Sequence, residues 1–126
     1  MYIEYNISKI IRAELETPIA EKVCYFVEYY FYCTGKYQNL DVEGHLLDVH
    51  AILRVIRDEL DNKGNKRNLN FMKQCLDSVI VMLIERHAQN PESDLSSLLF
   101  QREIENQELK EELKHMGLLD WIRNLD

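Results

Sequence analysis

Residues Thr17 to Gly35 read TPIAEKVCYFVEYYFYCTG, and between Val23 and Cys33 the only charge is Glu28. A helix drawn over this run is apolar or aromatic on almost every side, the pattern of a helix enclosed by its neighbours. Its ends are marked. Thr17 can cap a free backbone N–H, Pro18 suits the first helical position, and Gly35 can take the left-handed conformation that stops a helix. A membrane span needs roughly 20 apolar residues, whereas this run is shorter and is flanked by Glu21, Lys22 and Lys36. The expectation is a buried helix over 18–34 with the other helices packed around it.

Outward from this run, helical spacing recurs. Towards the start, Ile3, Ile7, Ile10, Ile11 and Leu15 predict an amphipathic helix over 3–15. Tyr2 to Tyr5 also reads as a short strand, but no partner strand is visible elsewhere. Thr17-Pro18 separates the first helix from the second, because the residue before proline avoids the helical region. Beyond the polar link Lys36 to Leu40, Asp41 is a candidate cap for a helix over 42–62. Its apolar face is Val42, Leu46, Val49, Leu53, Ile56 and Leu60, with Glu43, Asp48, Arg54, Arg57, Asp58 and Asp61 placed to face water. Asn62-Lys63-Gly64-Asn65 ends it.

Met72, Cys75, Leu76, Val79, Ile80 and Leu83 predict a further helix over 69–89, closed by Asn90-Pro91. The run Val79 to Ile84 alone could be a strand, but its helical flanks favour the helix. Residues 94–115 form an expected long acidic helix. Leu95, Leu99, Arg102, Asn106, Leu109, Leu113 and Met116 follow coiled-coil spacing, with polar residues at the middle of the seam. Read plainly, it is a solvated helix lying on the bundle by its two ends; the sharper reading is a coiled-coil contact in which Asn106 fixes register. Gly117 ends it, and Leu118, Leu119, Trp121, Ile122 and Leu125 form a short apolar helix over 118–124 that must dock on its own core or on a partner.

Composition agrees with an all-α class. The chain has 126 residues, only four glycines and two prolines, enough length for one core and little material for irregular loops. Its three cysteines, Cys24, Cys33 and Cys75, read as reduced core thiols, and MYIEYNISKI lacks the pattern of a signal peptide, so a cytoplasmic location is expected. The net charge is −7, and residues 92–126, with nine acidic side chains against four basic, hold most of it. Such a segment repels phosphate backbones.

The sequence offers little catalytic chemistry. Asp41, His45 and Asp48 share a helix face, but His50 lies about 140° round from His45 at 100° per residue, and three or four convergent ligands are needed for a metal site. Glu112 and His115 have the spacing found in di-metal bundles without a second such pair. No cysteine has a histidine one turn away, and no phosphate-binding glycine loop is present. The expectation is a non-enzymatic protein without metal or cofactor.

One all-α domain follows: a four- to five-helix antiparallel bundle around 18–34, with a long acidic C-terminal helix and a short terminal helix. The leading function is a protein-binding module, an adaptor, chaperone-like partner or inhibitor of a larger complex, self-associating as a dimer. The candidate partner-binding residues are Tyr25, Tyr29 and Tyr32 on one helix face, Glu105, Glu108 and Glu112 on the acidic helix, and Leu118, Trp121 and Ile122 in the tail. Tyrosine suits surfaces that are apolar at one end and wet at the other, so the three read equally as tips of a core helix that reach the bundle surface or as part of a helix that also lines a dimer or partner interface, and the acidic face could mimic nucleic acid towards a basic partner. The alternative is a nucleic-acid-binding regulator using Arg54, Arg57, Lys63, Lys66 and Arg67, a basic cluster interleaved with Asp58, Glu59 and Asp61.

Overall fold

The boundary signals place the helices. A computed structural model describes residues 17–35, 42–89, 92 and 94–124. The expected helix 3–15, the Asp41 cap and the Asn90-Pro91 stop lie outside the described residues, as do the side chains of 17–20, Val42, Glu43 and Asn106. Among the described residues six helices run in order: α1 Thr17–Thr34, α2 Val42–Asn62, α3 Lys66–Gln89, α4 Leu95–Ile104, α5 Asn106–His115 and α6 Leu118–Arg123. Among the described residues there is no strand, so Val79 to Ile84 belongs to a helix.

The ends follow local chemistry. Gly64 has φ +69°, a left-handed conformation that a side chain disfavours, and its N–H donates to the Asp61 carbonyl at 3.0 Å. α3 begins at Lys66, three residues ahead of the expected start. Asn65 explains the difference, because its Oδ1 accepts the Asn68 N–H at 3.2 Å and caps the helix early. Asp94 caps α4 in the same way, accepting from Ser97 N at 3.3 Å and Ser97 Oγ at 2.6 Å. These bonds to the carboxylate hold the Asp94 pKa below its ordinary value.

The hub of the bundle is α2, not α1. Every residue from His45 to Leu53 is buried, and Val55, Ile56, Glu59 and Leu60 extend the buried set. The core also takes Val23, Phe26, Val27, Tyr30 and Phe31 from α1, and Phe71, Met72, Cys75, Leu76, Val79 and Leu83 from α3. α1 therefore has an inner and an outer side. Tyr25, Tyr29 and Tyr32 are 67%, 40% and 80% exposed, which corrects the expectation of a helix enclosed all round. An apolar sequence can also belong to an edge helix when its outward positions are tyrosines, whose rings can lie on the surface with their hydroxyls in water.

A second correction concerns charge. Asp48, placed by periodicity towards water, is only 5% exposed, and Glu59 is buried too. Residues of the acidic segment cover them: Arg102 of α4 reaches Asp48 at 3.2 Å, and Lys110 of α5 reaches Glu59 at 3.1 Å. Arg54 of α2 pairs with Glu103 of α4. The pairings rise in step along both segments, so α2 and the α4–α5 segment run the same way. This is the order expected when the three-residue link after α2 makes α3 its antiparallel neighbour.

The polar middle of 94–115 thus meets charges of its own chain, and the expected single long helix is two. The interruption at Glu105 is slight: Glu105 N donates to Gln101 O at 3.1 Å, and Leu109 N donates to Glu105 O at 3.3 Å. No apolar side chain of this middle enters the core. Leu95, Leu98 and Leu99 anchor one half against it, while Leu109 and the buried Leu113 anchor the other. The interruption falls where ion pairs face the segment across α2.

Candidate interaction surface

The tyrosines of α1 lie at spacings of four and three, which puts their rings along one outward stripe. Tyr25 and Tyr29 stack with ring centroids 6.4 Å apart and planes 5° from parallel. Tyr29 also hydrogen-bonds the Cys33 side chain. That bond, followed by the electrostatic influence of the Cys33 side chain, raises the Tyr29 pKa above its ordinary value, with smaller contributions from desolvation and Tyr25. Cys33 is exposed, in contrast to the expected core thiol, while Cys24 and Cys75 are buried. The three tyrosines together present on the order of 400 Å² of aromatic residue surface. A patch of that size is the largest found on many monomers and is often functional.

The stripe continues into a groove of about 410 Å³ lined by Glu21, Lys22, Tyr25, Trp121 and Asn124. α6 forms its far wall. The Trp121 ring lies 4.9 Å from Phe26 between centroids, and Lys22 Nζ donates to the Asn124 carbonyl at 2.8 Å. Leu118 and Ile122 are 0% and 3% exposed, so the tail docks on its own core. Of the three tail residues expected to touch a partner, only Trp121 reaches the surface, as part of the groove; the other two have their apolar surface already covered.

Glu105, Glu108 and Glu112 are exposed and line a second cleft, of about 200 Å³, with Tyr30, Asp48, Ala51, Arg102 and Leu109. Its carboxylates are partly answered from within, since Arg102 also bonds Glu105 at 3.0 Å.

The five basic residues of the alternative reading separate into two sets. Arg54 is tied to Glu103 and Arg57 to Asp58, whereas Lys63, Lys66 and Arg67 are exposed around the turn between α2 and α3. Arg54 and Arg57 are thereby matched by carboxylates, which weakens the cluster as a phosphate-binding field.

The residues weighed for a metal have other roles. The His45 ring meets Phe31 edge-on at 5.2 Å, and Asp48 pairs with Arg102. No group of three metal-ligating side chains occurs among the described residues, and none of their helices is long and apolar enough to cross a membrane.

Comparison of the chain with protein-family models, curated proteins and solved structures returns no significant match.

Residue type and spacing singled out the stripe. The groove depends on Trp121 lying beside Tyr25 from almost a hundred residues away, and the acidic cleft depends on α2 passing beneath α4 and α5. No local pattern in the sequence signals either juxtaposition.

Proposed function

We propose that this protein is a non-enzymatic binding module whose partner-binding face is the Tyr25–Tyr29–Tyr32 stripe together with the groove beside Trp121. The observation that carries the reading is the exposure of three aligned tyrosines on a helix whose other side is fully committed to the core. The stripe falls short of the ~800 Å² per partner of a standard interface. That size suits a helix or an extended segment of a partner, with the neighbouring groove supplying the additional area. Self-association through the same face and a role as adaptor or inhibitor belong to this proposal. So does electrostatic guidance of a basic partner by Glu105, Glu108 and Glu112.

Replacing Tyr29 and Tyr32 together by glutamate tests it. Both sites are exposed, so stability is expected to shift by no more than about 0.5 kcal/mol per site. Binding to a partner isolated with the wild-type protein, or self-association measured by light scattering, is expected to weaken by at least about a hundredfold, the size of a lost aromatic hot spot. Unchanged solution mass together with unchanged partner affinity in the double variant would refute this face as the interface.

A further inference from the structure

Helix α4 is held to the bundle in an unusual way. None of its side chains is fully buried, and Leu95, Leu98 and Leu99 are only partly covered by the core. Its other ties to α2 are ionic, Arg102 to Asp48 and Glu103 to Arg54. The one-residue interruption at Glu105 separates it from α5, which is anchored independently by Leu113.

Under this seat lies His50, 7% exposed, sharing a small space with Ala51, Arg54, Arg102 and Glu103. The charges facing it are Arg54 and Arg57 from its own helix, and Arg102 and Glu103 from α4. Asp48, Asp58 and Glu105 complete the ion pairs, so three guanidinium groups meet four carboxylates, with Arg102 shared between Asp48 and Glu105, while His50 stays neutral. A proton on His50 adds a fourth cation to a site with little access to water.

We infer that α4 is an acid-released flap, hinged at Glu105, and that protonation of the buried His50 unseats it from α2. Lifting it frees the Asp48 and Ala51 side of the acidic cleft. The inference is independent of the partner proposed for the tyrosine face.

The direction follows from linkage. Burial, and then the charges of Arg54 and Arg57, lower the His50 pKa from 6.5 to about 4. A lowered histidine pKa means that the opened state takes the proton first. The closed state is therefore favoured in full above pH 6.5 and loses ground as the pH falls through that value towards 4. Arg54 and Arg57 stay beside His50 on α2 when α4 lifts, so at pH 5 the shift in the closing equilibrium is at most about 30-fold.

Amide hydrogen exchange read by mass spectrometry on the full chain tests this, with rates corrected for the intrinsic pH dependence. Between pH 7.5 and pH 5, peptides from 95–104 are expected to lose protection several-fold, up to about 30-fold, while peptides from 66–89 keep theirs. The His50→Gln variant should hold α4 closed at both pH values. An independent readout in the wild-type protein covers the case in which that variant does not fold. The ring proton of His50, followed by NMR, must titrate together with the loss of α4 protection. Protection of α4 that does not change with pH would overturn the inference. So would equal loss in every helix, the same loss in a folded His50→Gln variant, or a His50 titration unrelated to the exchange.

Discussion

Replacing Arg102 by methionine is expected to lower the stability of the protein by about 3 kcal/mol at neutral pH, measured by urea denaturation. Asp48 is 5% exposed and its 3.2 Å partner Arg102 comes from a different helix. Removing one member of a buried pair takes the opposite charge away from the other, a change that costs roughly 3–5 kcal/mol; the low end applies because Arg102 keeps 28% of its side chain in water. Methionine retains much of the stem that covers α2, so lost packing contributes little. Adding Asp48→Leu to the methionine variant should restore most of the stability, because the double variant exchanges an ion pair for apolar packing. The comparable change at Arg54 serves as contrast. Arg54 and Glu103 are 35% and 43% exposed, so their pair contributes only about 0–1 kcal/mol. A loss below about 1 kcal/mol in the Arg102 variant, equal to that at Arg54, would show that Asp48 finds compensation elsewhere and that α4 is not held by this pair.

The same pair shows what could be read from the chain and what could not. The end of α2 and the close of α5 were legible, because Gly64 and Gly117 act within a few residues of where they stand. The periodicity of α2 correctly put Leu46, Val49, Leu53, Ile56 and Leu60 inside. Periodicity tells which side chains share a face, but not how many faces have neighbours. Hence Asp48 was placed in water although α4 lies over it, and α1 was placed at the centre although its tyrosine side is open. The polar middle around Arg102 was visible as an interruption of an apolar seam. Its partners, 54 positions back at Asp48 and 51 positions back at Glu59, were not, because pairing across that separation leaves no local trace. For the candidate face, the tyrosines announced themselves by type and spacing. The groove wall at Trp121 became visible only when the tail was seen to dock.

That docking sets the second large effect. Ending the chain at Met116 is expected to cost about 5 kcal/mol or more, comparable to the whole stability of an ordinary domain at about 5–15 kcal/mol, and so to abolish cooperative unfolding. The truncation removes Leu118 and Ile122, buried to 0% and 3%, each contributing roughly 1.5–3 kcal/mol. It also removes the Trp121 contact with Phe26, with a further ~0.5–1.5 kcal/mol for the aromatic pair. The surface left behind adds to this, because Phe26, now 3% exposed, loses the Trp121 ring that lies against it. A tail that served only as a contact for a partner would behave differently: its removal would change the mass in solution and leave the melting transition alone. The single substitution Ile122→Ala separates the two cases without shortening the chain. A core role predicts a loss of about 2–5 kcal/mol with the solution mass unchanged, whereas an interface role predicts lower mass with nearly unchanged stability of the monomer. A chain ending at Met116 that unfolds as cooperatively as the intact one, at the same urea midpoint, would contradict the placement of Leu118 and Ile122 in the core. The groove proposed as part of the binding face would then lose its far wall along with them.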